Sequence, residues 1–523
     1  MSRVIFFFII VLQCYCAKSA NILGLFPHTG KSHHMVFEPF LKKLAERGHN
    51  VTVASFFPEK NPYPNYKDVS FVGIAPLRLE SYDLGDFENE RLVYKIPRLG
   101  RNVKMLNQLN PFKTSTVTIC ARLVKYKPLL DALKENYDIV LVENFVGDCM
   151  LGLLHAYGIT APIIALLSGS PMPWTYERIG ANDNPSYVPV IVTPFGTQMS
   201  FLDRLENTLV NIIVNKWYHQ EVQVNERIII EKEHGPIPDL RELAKNTSLV
   251  IAYSYHPFTG AKPLVPGLVE VGGMHLSSER KPLPLFIEKF LNESSDGVIL
   301  FSFGSHIKTK SIPKYKEQIL LKALSKLKQR VIWKFEDSED EGTIIGNVMK
   351  VKWLPQYDLL RHEKVVALIT HGGILSLTEA MSSGKPSIVI PFFGDQPANA
   401  AAVSEAGVGL VLSYQDISEE SFYNAIQRVL SEEIRMNAQR VSKIWQDRQS
   451  APLDTAIFWT EHVIRWKSPR LYSHAKNLNV YQLSLSDVFA FIIIIILTII
   501  SFLLFVFMKL INIFKKSKKE KVH

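Results

Sequence analysis

The sequence predicts an α/β protein of two doubly wound domains facing a cleft, followed by one helix that crosses a membrane. Three observations predict it: two blocks of the chain alternate β-branched runs with amphipathic stretches, a Pro- and Gly-rich segment separates them, and residues 488–508 are apolar without a single charge. At 523 residues, 47% apolar and 21% charged, the chain is too long for one ordinary core and has the composition of folded protein.

In the first block, residues 20–26 read as a strand, 33–47 as an amphipathic helix and 50–57 as the next strand, with later strands at 137–143 and 162–168. Residues 178–235 are richer in helix. There Phe195, Met199, Phe201, Leu202 and Leu205 lie on one side of Asp203 and Arg204, a stripe that reads first as core-facing and alternatively as membrane-facing or acceptor-lining. Periodicity is lost over 257–284, the expected interdomain linker between domains spanning 21–256 and 285–450. The second block shows strands at 298–303, 331–335, 349–353, 365–370, 387–391 and 408–412, with a helix at 313–328. Facing domains of this kind bind ligand outside the carboxyl ends of their strands. No repeat at a solenoid period is visible.

The chain ends carry targeting information. Arg3, the apolar run 4–12 and the small residues up to Ala20 read as a signal peptide over 1–20; the run is too short to span about 30 Å of hydrocarbon. The run 488–508 is long enough. It is followed by a basic tail, 509–523, that should stay cytosolic, which makes the chain a single-pass type I protein with 21–487 lumenal and 451–487 a helical juxtamembrane segment. Lys519 and Lys521 resemble a dilysine retrieval signal for the endoplasmic reticulum, the alternative being lysines that hold anionic lipid. The net charge of +9 is mostly terminal: the tail supplies +5, Arg3 and Lys18 supply +2, and the lumenal part keeps about +2, which removes the case for nucleic acid. Cys14 and Cys16 fall in the leader, leaving Cys120 and Cys149 with room for one bridge. Sequons begin at Asn50, Asn246 and Asn292, Asn50 being the least accessible as the lead into a strand.

The chemistry concentrates after the strand 365–370. Thr370-His371-Gly372-Gly373 precedes a helix holding Ser376 and Glu379; glycines let backbone approach an anion, and a helix N-terminus offers unpaired N–H donors to a diphosphate. With Trp353-Leu354-Pro355-Gln356 upstream and Pro391 and Asp395-Gln396 downstream, this stretch resembles the donor-binding signature of the UDP-glycosyltransferase family. The resemblance implies a GT-B fold, an acceptor-binding first domain and a UDP-sugar-binding second domain. It also implies roles: Trp353 stacking on uracil, the Leu354 backbone reading its edge, and Gln356 and Glu379 on the ribose. His371, Gly373 and Ser376 would meet the diphosphate, Gly304 and Ser305 would form the loop near the phosphates, and Asp395 and Gln396 would hold the sugar.

Ser32-His33, ahead of Arg47-Gly48-His49, is similar to the segment carrying the family's catalytic base, so His33 would deprotonate the acceptor hydroxyl. His28 and His34 are rivals. Glu143 or Asp148 would orient His33, with the lean toward Asp148 for its shorter side chain. Leu375 stands where the family often has Asn. The expectation is an inverting hexosyltransferase that moves glucose from UDP-glucose, its co-substrate, to a hydroxyl of a small lipophilic acceptor, as in detoxification or metabolism of foreign and endogenous compounds. No metal or separate cofactor is expected, and a homo-oligomer is compatible with the sequence. UDP-glucuronic acid is the alternative donor, and a non-catalytic nucleotide-sugar-binding membrane protein is the alternative class.

Overall fold

The computed structural model describes residues 19–520 apart from 62, 78–81, 89–91 and 468–469. The expected leader lies almost wholly outside the described residues, as does Lys521. Residues up to Tyr472 form one compact unit and those from Ser473 a second.

The first half of the body runs β1 Asn21–Phe26, α1 Lys31–Glu46, β2 Asn50–Ser55, β3 Tyr66–Ser70, α2 Leu99–Leu123, β4 Ile139–Glu143, α3 Cys149–Ala156, β5 Ile163–Leu167, α4 Pro173–Ile179, α5 Phe201–Trp217, α6 Val224–His234, β6 Thr247–Ala252 and β7 Leu268–Glu270. Its seven strands are all parallel, in the order β3-β2-β1-β4-β5-β6-β7. Both faces are covered, which is why the first four residues of β4 are all apolar and all five of its residues, Glu143 included, are buried. On one face α1 inserts Val36, Phe37, Phe40, Leu41 and Leu44 at helical spacing. On the other, α2 and α3 are joined by a Cys120–Cys149 disulfide, the bridge for which the sequence left room.

The second half runs β8 Val298–Ser302, α7 Lys314–Ser325, β9 Arg330–Lys334, β10 Thr343–Ile345, β11 Val348–Val351, α8 Gln356–Leu360, β12 Val365–Thr370, α9 Ile374–Ser382, β13 Ser387–Val389, α10 Gln396–Glu405 and β14 Gly409–Val411. Its order is β10-β11-β9-β8-β12-β13-β14, parallel except for the edge pair β10–β11. These are two Rossmann-like domains.

Three expectations need correction. The linker span 257–284 contains β7, which pairs with β6, so the first sheet is not complete until Glu270. Helix α11, Pro452–Trp466, belongs to the first domain's core rather than to a juxtamembrane segment: Ala456, Ile457 and Val463 are buried there, and Glu461 accepts from Arg47 Nε at 2.5 Å and Nη2 at 3.0 Å. Of the expected apolar stripe, Phe195 is buried, but the part that lies on α5 does not face the core. Phe201, Leu202 and Leu205 are exposed, and Val210 and Val214 on the opposite side fill the interior.

In the second unit, helix α12, Ser486–Glu520, contains a stretch, Ser486–Lys515, long and apolar enough to cross a membrane.

Candidate active site

The order in which strands are added reverses at a topological switch point, between β1 and β4 in the first sheet and between β8 and β12 in the second. Loops leaving neighbouring strands part there and open a crevice, so the fold itself puts residues after those four strands at the ligand site. They supply the first turn of α1 with His33, the end of β4 with Glu143, the Gly304-Ser305 loop and the His371-Gly372-Gly373 turn. All of these except Glu143 and Gly372 line a cleft of about 530 Å³, which lies in the range of small-molecule sites.

His33 is held by two groups of its own domain. Its Nδ1 is 2.9 Å from Glu143 Oε1 and 2.7 Å from Ser168 Oγ, just past the end of β5. Phe145 packs edge-on against the ring at 4.6 Å, and His28 stacks on it at 4.0 Å. His28, His33 and Glu143 bring nitrogen and oxygen atoms within 4.8 Å of one another. The two imidazole planes, however, are only 23° from parallel, so their in-plane lone pairs do not converge on one metal. His34 turns into the core between Phe26 and Phe57, where burial pushes its pKa down.

Asp148 does not reach His33, which corrects the lean toward it. Its carboxylate is 1% exposed and accepts from Arg178 Nη2 at 2.8 Å, Tyr218 Oη at 2.9 Å and Gln223 Nε2 at 2.8 Å. Tyr218 in turn stacks on Trp174, a wall of the cleft, at 3.9 Å. Asp148 therefore ties α4 to the turn that follows α5 behind the cleft. Glu226 accepts from the Asp148 amide at 2.7 Å, and burial pushes its carboxyl well above the usual range.

In the second domain, the signature residues converge. Trp353 is 63% exposed and presents an open ring to the cleft, with Lys334 Nζ 5.9 Å from its centroid, whereas Leu354 is buried. Gln356 Nε2 donates to Glu379 Oε2 at 2.6 Å and to Ser376 Oγ at 2.9 Å, so the three form one polar group. Gly304 has φ of +74°, and a Cβ on it would meet His371 Cε1 at 2.6 Å; a Cβ on Gly373 would meet His371 Nε2 at the same distance. Only glycine lets both backbones close on this imidazole. Burial lowers the His371 pKa to about 3, which keeps this imidazole neutral at the cleft wall.

Asp395 lies in the cleft near His33, and burial raises its carboxyl above the ordinary range against a 2.8 Å hydrogen bond from Asn399. Gln396 has its Oε1 occupied by the Phe392 and Phe393 amides at 2.8 and 3.2 Å, which leaves its Nε2 as the donor. Leu375 and Ile374, at the start of α9, pack against the first domain's apolar cluster.

Residues outside the signature motifs also belong here. Ser168 closes on His33; Lys334 donates to Gly304 O and Glu336 at 2.9 Å each; His306 Nε2 meets Ser32 Oγ of the other domain at 3.3 Å. His275 lies 3.7 Å from Glu379 and is held by Tyr253 Oη at 2.6 Å. Only Lys334 carried a usable signal, a lysine ending a buried strand.

Two facing Rossmann-like domains with an exposed tryptophan, a glycine-lined helix N-terminus and a carboxylate-held histidine define a GT-B glycosyltransferase. The fold is that of solved glycosyltransferases: the kitacinnamycin glycotransferase (TM-score 0.54, 14% identity, 85% of this chain and 99% of that one) and the calicheamicin glycosyltransferase CalG4 (0.54, 16%, 86% and 99%). The family model "UDP-glucoronosyl and UDP-glucosyl transferase" matches residues 23–521, and the chain belongs to that family. It is 35% identical to UDP-glycosyltransferase UGT5 of Dactylopius coccus, over 95% of this chain and 93% of the relative. It is also 35% identical to UDP-glucosyltransferase 2 of the same insect (91% and 90%) and 30% identical to UDP-glucuronosyltransferase 2B19 of Macaca fascicularis (98% and 98%). The protein is a UDP-glycosyltransferase: it moves a sugar from a UDP-sugar to an acceptor.

Proposed function

We propose that the sugar is glucose, that the acceptor is a small lipophilic molecule bearing a hydroxyl, and that transfer inverts the anomeric centre. The observation that carries this is the placement of His33. Glu143 and Ser168 occupy its Nδ1, which leaves Nε2 for an acceptor in a cleft walled by Leu109, Phe112, Phe145, Met172, Trp174 and Ile191. Nε2 takes the hydroxyl proton as the oxygen attacks the anomeric carbon, and UDP leaves from the opposite face with the bonding electrons. Glu143 stabilises the imidazolium that forms. The α9 N-terminus, His371 and Ser376 meet the diphosphate, an arrangement that supports transfer without a divalent metal. Asp395 and Gln396 Nε2 face the sugar. The choice of glucose over glucuronic acid rests on the insect relative named as a glucosyltransferase, at higher identity than the glucuronosyltransferase.

The test incubates membranes carrying the protein with UDP-glucose or UDP-glucuronic acid and a panel of phenols, steroids and flavonoids, with and without EDTA, and detects conjugates by mass. Glucosides formed equally in EDTA are the expected result; glucuronides alone would overturn the donor, and EDTA-sensitive turnover the metal independence.

The donor side predicts that Trp353→Ala weakens UDP binding by about 1–3 kcal/mol, the scale of one lost base–aromatic stack. Calorimetric titration with UDP measures it, and an unchanged affinity would remove Trp353 from the uracil site.

The proposed topology places the body in the lumen of the endoplasmic reticulum, with α12 spanning the membrane and the basic tail cytosolic. Glycans on Asn246 or Asn292, read as a mass shift on glycosidase treatment, are expected; their absence from both would count against a lumenal body.

A further inference from the structure

Helix α5 is apolar on two opposite sides. Its inner side places Val210 and Val214 in a buried cluster with Met172, Trp174 and Ile191, and Val214 and Trp217 line the acceptor end of the cleft. Its outer side is uncovered: of its seven exposed residues six are large and apolar, Phe201, Leu202, Leu205, Leu209, Ile212 and Ile213, each 43–67% exposed, and the seventh is Lys216 in its last turn. A surface helix of a soluble body keeps polar residues on that side.

The neighbouring segment continues the face. Leu92, Ile96 and Leu99 are exposed, and the start of α2 is tied to the start of α5 by ion pairs from Arg98 to Asp203 at 2.8 Å and to Glu206 at 2.9 Å, and from Arg101 to Glu206 at 2.5 Å. Those pairs set Arg98 and Arg101 against Asp203 and Glu206, and the Arg204 guanidinium turns to Met199 O at 3.0 Å, beside the exposed apolar side chains. Lys216 has the stem length to keep its ammonium in a polar headgroup layer while apolar neighbours lie deeper.

We propose that this outer face of α5, with Ile96 and Leu99, docks on a lipid bilayer, so that α5 is the wall between the membrane and the acceptor cavity. The chain itself argues for lipid as the occupant. A membrane-capable helix begins at Ser486, and the segment from Ser473 to Leu485, even fully extended, keeps the body within about 45 Å of the bilayer. A tethered body with one apolar face meets lipid at high effective concentration. The consequence for catalysis, which rests on the proposed lipophilic acceptor, is that membrane-dissolved acceptors reach His33 past α5 without crossing bulk water.

The test uses the full chain in phosphatidylcholine vesicles with Leu209→Cys carrying a nitrobenzoxadiazole label, and Ser325→Cys, exposed on α7, as the control. Cys14 and Cys16 are changed to Ser in both variants, and Cys120 and Cys149 are bonded to each other and do not compete for the label. Nitroxide-bearing acyl chains are expected to quench the Leu209 label about five-fold more than the Ser325 label, as an interfacially buried helix face requires. Equal quenching, with the Leu209 label open to aqueous iodide, would overturn the proposal. So would protection that disappears on diluting the protein at fixed lipid, because a second copy would then be the occupant. This readout needs no acceptor, so its failure is separate from failure of the acceptor reading. For the passage of substrate, the combined variant Leu205→Asn, Leu209→Asn and Ile212→Asn should raise the apparent KM of a membrane-partitioned acceptor about ten-fold and leave that of a water-soluble acceptor unchanged. An equal KM change for both acceptors, or none for either, would overturn passage along α5.

Discussion

His33→Ala loses turnover by about 10²–10⁴-fold, the usual contribution of a positioned general base, while UDP affinity stays at the wild-type value because the donor groups lie in the other domain. Glu143→Gln follows it. The glutamine keeps the shape of a side chain that is 4% exposed but cannot stabilise an imidazolium, so its loss should approach that of His33→Ala and not add to it in the double variant. Single-turnover rates at saturating UDP-sugar, with UDP binding measured separately, check both. Full activity of His33→Ala with every acceptor used by the wild type would remove the base from the proposed mechanism. Additive losses would show that Glu143 acts elsewhere.

What the sequence discloses here follows from how each feature is encoded. The strand 365–370 is observed with the expected bounds, and most other strands begin or end within two residues of expectation, because parallel strands buried on both faces write themselves as short continuous apolar runs. The second-domain cluster was legible because it is local: Trp353, Gln356, His371, Ser376 and Glu379 sit within one βαβα stretch, where spacing carries geometry. The short edge strand β7 reads as linker because its three residues are surrounded by Pro and Gly and leave no period. The apolar side of α5 has the same pattern whether it faces core or lipid, and only the structure shows which residues are covered.

The choice between Glu143 and Asp148 was illegible for a different reason. Side-chain length argued for Asp148, but the outcome was set by Arg178, thirty residues on, whose guanidinium claims Asp148 inside the protein. A partner that distant leaves no local trace. Once Asp148 is committed to Arg178, Tyr218 and Gln223, Glu143 at the end of β4 is the carboxylate that remains for His33, and the switch-point topology brings it there.

Asp148→Ala should therefore fail in a way unlike Glu143→Gln. It leaves the Arg178 guanidinium, 2% exposed, as an unpaired buried charge, and breaking one side of such a pair costs about 3–5 kcal/mol. Less folded protein and a lower unfolding midpoint are expected. Turnover per UDP-binding site in the fraction that folds should stay within a few-fold of wild type, since His33 keeps its own partners. The companion variant, Asp148→Leu with Arg178→Met, removes both charges and should recover much of the lost stability, because apolar residues of similar volume often replace a buried ion pair without loss. If Asp148→Ala folds normally and instead loses turnover to the extent of His33→Ala, Asp148 acts on the histidine after all. A stability loss with intact chemistry in the folded fraction leaves Glu143 as the carboxylate on His33 and Asp148 as the brace of the cleft wall.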